Sequence, residues 1–150
     1  MNSPDRPTSI PVFAVLGKDY DYDDERYYTQ EGYHLHHLYE SEDEANAFAR
    51  ETNLKILLGD DSLERYCDRD EPESIYGHDP AKLQAVRDAL GVPTLTAEEL
   101  INLSFTEKGR LNKEQAAALL RILDIGDFYI SRQELFLRRG AAVEAEQAAA

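Results

Sequence analysis

The chain has no tryptophan, one methionine and a single cysteine, Cys67, in 150 residues. One cysteine excludes an intramolecular disulfide and the stapled architectures built on them, so a reducing, cytoplasmic setting is expected. No apolar run approaches the ~18 residues of a membrane span. The opening Met1-Asn2-Ser3-Pro4-Asp5-Arg6-Pro7 lacks the basic-then-apolar order of a signal peptide. None of the eight glycines falls in a phosphate-loop or dinucleotide-binding pattern, and there is no HExxH or CxxC motif and no internal repeat.

Positive charge is also scarce. Sixteen Lys and Arg face thirty Asp and Glu, a formal net charge of −14. The imbalance is concentrated in residues 1–79, where 20 acidic residues meet 7 basic ones, against 10 and 9 in residues 80–150. Such a field opposes direct contact with nucleic-acid phosphates or anionic membranes and favours basic protein or peptide partners, or cations.

What is present begins with Pro11-Val12-Phe13-Ala14-Val15-Leu16. Six residues are too few for a globular helix, and unbroken apolarity marks a strand covered on both faces, with Pro11 at its first position. An acidic loop, Asp19 to Glu25, follows. Glu25–Thr29 and Tyr33–Tyr39 read as two further strands, turning at Glu31-Gly32. Ser41 with Glu44 opens a helix whose Ala45, Phe48, Ala49 and Thr52 form one apolar face. Residues 54–58 fit a last helical turn or a short strand equally. Further on, Asp79-Pro80, Thr96 with Glu99, Asn112 with Gln115, and Ser131 with Glu134 are four helix-start signals.

These signals predict one α+β domain: a small, mostly antiparallel N-terminal sheet of about three strands, one helix on one face, and a C-terminal cluster of short helices on the other. Residues 1–9 form a lead-in. The domain spans 10–140, with sheet and helix in 10–58, an acidic connector in 59–79 and the helical part in 80–140, and 141–150 follows as a frayed tail.

Three groups of residues bear on function. Six of the nine tyrosines lie between residues 20 and 39, interleaved with carboxylates. Tyrosine supplies stiff contact area with a polar tip, so Tyr20, Asp21, Tyr22, Asp23, Tyr27 and Tyr33 form the leading candidate surface, for a basic protein or peptide. Asp19, Asp21 and Asp23 alternate as in a calcium loop, though Asp24 stands where Gly is wanted and Gln30 where a bidentate Glu is wanted; a weak divalent cation is the corresponding expectation. His34 and His36 share one face of an ideal strand, with Leu35, His37 and Tyr39 on the other, and could bind a metal if His78, Asp79 or an Asp of the acidic loop joined them. Residues 119–137 trace the outline of an EF-hand, but Leu123 and Ile125 occupy its first ligand positions. The sequence therefore points to a non-catalytic interaction or regulatory module. A metal-binding protein or metal-dependent hydrolase and an acidic mimic of nucleic acid are the alternatives.

Overall fold

In the computed structural model the structure describes residues 8–22, 27–105 and 110–137, with the backbone alone for 19–22, 27–33 and 137. The apolar run is the middle of a longer strand, β1 (Thr8–Tyr22), which is flanked on both sides. On one side lies β2 (Tyr27–Tyr39), on the other β3 (Phe128–Leu137), both antiparallel, giving the order β2-β1-β3. With several helices beside this sheet, the fold is α+β.

Three local expectations are corrected. Residues 27–39 form one strand, without a turn at Glu31-Gly32. Between Lys18↔Tyr33 and Tyr20↔Thr29 the partner strand spends two extra residues, so Gly32 lies in a bulge and the chain reverses between Tyr22 and Tyr27. Strand β1 begins at Thr8, three residues before Pro11. Pro11 pairs with Glu134 beyond the point where β2 ends, so its missing N–H leaves no gap in the β1–β2 ladder. The helix expected from Ser131 is strand β3. Ser131 and Glu134 imitate a capping box, but Phe128-Tyr129-Ile130 is aromatic and β-branched, and ten successive pairs with Thr8–Gly17 outweigh a four-residue signal. The EF-hand outline fails with it, because its second helix does not exist.

The other start signals are met. Ser41 accepts from the Glu44 N–H at 3.3 Å and caps α1 (Glu42–Leu58), which includes residues 54–58. Asp79 caps α2 (Pro80–Leu90), which ends at the left-handed Gly91. Thr96 with Glu99 and Asn112 with Gln115 close reciprocal boxes at the starts of α3 (Ala97–Ile101) and α4 (Lys113–Leu123).

Helix α1 serves two layers. Its Ala45 and Ala49 are buried on the side facing the sheet, while Leu57 at its far end belongs to a core made with Leu63, Leu95, Leu100 and Leu119. That core contains no strand residue. The short helices thus pack around one another and the end of α1, and the face of the sheet opposite α1 receives no described helix. Stretch 59–79 is not a mere connector: two 3-10 turns (Glu64–Tyr66 and Pro72–Tyr76) bring Leu63, Ile75 and Tyr76 into the core. Among the described residues no helix is long and apolar enough to cross a membrane.

Candidate interaction surface on the sheet

Alternation along β1 sorts its side chains. Phe13, Val15 and Gly17 face α1. Val15 is fully buried. A Cβ at Gly17 would stand 2.8 Å from the His34 ring and 3.1 Å from that of Phe128, so only glycine lets the two aromatic rings cross the central strand there.

The histidines depart from ideal alternation. Val15 pairs with His37 and Leu16 with Leu35, which leaves His36 as an extra residue in β2. The bulge turns His36 to the side of His37, so the expected opposition of these two is reversed. Their Nδ1 atoms are 2.6 Å apart, one donating its proton to the other. Phe48 of α1 lies over both, with ring centroids 5.6 Å from His36 and 4.6 Å from His37, and Phe128 meets His36 edge-on at 4.9 Å. His34 and His36 have ring centroids 6.3 Å apart. His78 and Asp79 lie at the start of α2, where His78 Nε2 is 3.5 Å from Glu71 Oε2 and Asp79 caps the helix. Among the described residues no three of His, Cys, Asp and Glu converge as metal ligands.

On the opposite face stand Ile10, Val12, Ala14 and Leu16. Ala14 is paired with Leu38, Leu16 with Leu35, and Ile10 with Leu135. Those three leucines are 49, 56 and 42% exposed, an apolar strip crossing all three strands. Lys18 and Tyr129 close one end of it, the ammonium 5.8 Å from the ring centroid.

Beyond Gly17, β1 has lost β3 and pairs with β2 alone. Residues 18–22 and 27–33 therefore form a two-stranded arm. Its backbone register sets Tyr20 against Thr29, Asp21 against Tyr28 and Tyr22 against Tyr27. Tyr20, Asp21 and Tyr22 are thus strand residues, not loop residues as the acidic composition suggested. Asp23 and the tip of the arm lie outside the described residues. Asp19, Tyr20, Asp21, Tyr22, Tyr27 and Tyr33 are described in backbone only.

The arm is rooted in a polar knot that sequence reading missed. Asn53 Oδ1 accepts from the N–H groups of Asp127 and Phe128 at 3.0 and 2.9 Å, and its Nδ2 donates to the Phe128 carbonyl at 2.9 Å. The Asp127 carbonyl accepts from the Lys18 N–H at 2.8 Å. Asp127 Oδ1 lies 3.0 Å from Arg65 Nη2 and accepts from the Tyr66 hydroxyl, and Arg65 Nη2 also reaches Asp60 Oδ2 at 3.0 Å. Burial holds the Asp60 carboxyl above its usual range, against the pull of Arg65. Burial also raises the Tyr66 hydroxyl, reinforced by its bond to Asp127, and pushes the Cys67 thiol up to about 11, with Glu64 and Asp68 adding to the effect. A thiol so protonated at neutral pH is a poor nucleophile. Arg65, Tyr66 and Asp127 contact one another, so this knot fixes the junction of the Glu64–Tyr66 turn, the arm and β3; the one sequence cue to it is an Asn, a weak helix former, inside α1.

No protein-family model matches this chain, and no curated protein or solved structure matches it.

Proposed function

We propose that the protein is a non-catalytic interaction module that takes a basic protein or peptide along the Tyr/Asp-rich arm. The observation that supports this reading is the arm's freedom from the third strand: β1 and β2 continue as a pair past Gly17 and carry Tyr20, Asp21, Tyr22 and Tyr27 there. Beyond Lys18, whose N–H is held by the Asp127 carbonyl, no described strand pairs with either outer edge of this ribbon, which suits an added peptide strand, and its carboxylates suit Lys and Arg side chains.

A net charge of −14 attracts any polycation, so affinity alone is a poor test. The informative variant is Tyr20→Ala/Tyr22→Ala, which leaves the charge unchanged. Fluorescence anisotropy with a labelled oligolysine peptide should show weaker binding to the double variant by about tenfold or more, the scale of losing aromatic anchors. Equal affinity for wild type and a folded double variant would refute the arm as the binding surface.

A further inference from the structure

We infer that the face of the sheet over which no described helix packs, where Leu35, Leu38 and Leu135 stand exposed around the buried Val12 and Ala14, is a self-association surface whose occupant is a second copy of this chain, packed face to face about a two-fold axis. The inference does not rest on the arm's binding a peptide.

Charge points to the occupant. One residue in five of this chain is acidic. Yet no carboxylate occurs among Thr8, Ile10, Val12, Ala14 and Leu16, or at the positions paired with them, which are Leu35 and Leu38 in β2 and Tyr129, Ser131, Gln133, Leu135 and Leu137 in β3. A basic partner finds nothing there to neutralise. Two strongly acidic copies, in contrast, approach with least repulsion through a patch that lacks their carboxylates, and an apolar patch is complementary to itself about a two-fold axis.

Size agrees with a reversible dimer. Ten β1–β3 pairs, with β2 beside half of them, give a flat footprint on the order of 400 Å² at about 3.3 Å per residue and 4.8 Å per strand. Two copies together hide roughly 800 Å² before side-chain relief adds to it, near the ~1,000 Å² threshold for a specific interface and well below obligate dimers. Packed sheets of this kind lie about 10 Å apart with strands about 30° from parallel.

Sedimentation velocity over a dilution series tests this on the intact chain. The wild type should move from 17.0 kDa towards twice that mass as concentration rises, and Leu35→Glu/Leu135→Glu, at two exposed positions, should remain at the lower mass. A wild type that stays monomeric at the highest concentration, or a double variant that dimerises equally well, overturns the inference. Leu38→Cys provides a readout that does not depend on that variant folding, since the raised pKa of Cys67 keeps the alkylation background low. The new thiol should react quickly when dilute and several-fold more slowly when concentrated. Reaction that is fast at every concentration, or slow at every concentration because the chain's own tail covers the face, overturns it as well.

Discussion

Asn53→Ala isolates the knot at the root of the arm. The substitution removes three hydrogen bonds, two accepted from Asp127 and Phe128 and one donated to Phe128. At about 0.5–1.5 kcal/mol each, their loss sums to about 1.5–4.5 kcal/mol. Two considerations lower that range. The site is only partly buried, so water can reach some of the abandoned backbone groups, and alanine recovers up to about 0.7 kcal/mol as the better helix former. A net loss of about 2 kcal/mol follows, or about 4–8 °C in Tm for a domain of this size. Urea denaturation followed by circular dichroism measures the first and hydrogen exchange its location, since the amides of Asp127 and Phe128 should exchange faster than in the wild type. An alanine variant within 0.5 kcal/mol of wild type, or unchanged exchange at both amides, would show that the bonds do not hold β3 to α1.

Alkaline pH should weaken the fold. Tyr66 and Cys67 are neutral acids whose folded pKa values lie above their ordinary values of 10.0 and 9.0, so the folded state keeps protons that the unfolded chain releases. The Cys67 contribution is complete below pH 9 and is lost as pH rises from 9 towards 11, while that of Tyr66 is complete below its ordinary 10.0 and falls above it; urea midpoints for wild type should fall from pH 9 to 11 more steeply than for Tyr66→Phe/Cys67→Ser, and parallel curves would contradict the assignment. In the helical layer, Leu119→Ala empties a fully buried position and should cost about 2–5 kcal/mol by chemical denaturation, the range for such cavities; a loss under 1 kcal/mol would mean that Leu119 is not packed as described.

What could be read from the sequence was local. Ser41, Asp79-Pro80, Thr96 with Glu99 and Asn112 with Gln115 each bind within their own first turn, so four letters carry the information. Strand β3 could not be read that way. Its identity comes from partners such as Thr8 for Leu137 and Gly17 for Phe128, and the nearby Ser131 and Glu134 argue for a helix. His36 escaped for a related reason, since one extra residue in β2 inverts the alternation on which facing was predicted. Asn53 acts on residues 74 and 75 positions away, and no spacing rule reaches that far. The tyrosine arm lies between these cases: its composition was visible, but its being a paired ribbon beyond the third strand depends on where β3 stops.

The pairing of β1 with a strand over a hundred residues downstream has a consequence for synthesis. While the ribosome is still making the helices, β1 and β2 have no third strand to pair with, so any hairpin they form has one flank unzipped. The last described element to emerge is the one that seals that flank. A nascent chain arrested before Phe128 would present the raw border of a ribbon to its neighbours, a shape that recruits other chains into sheets.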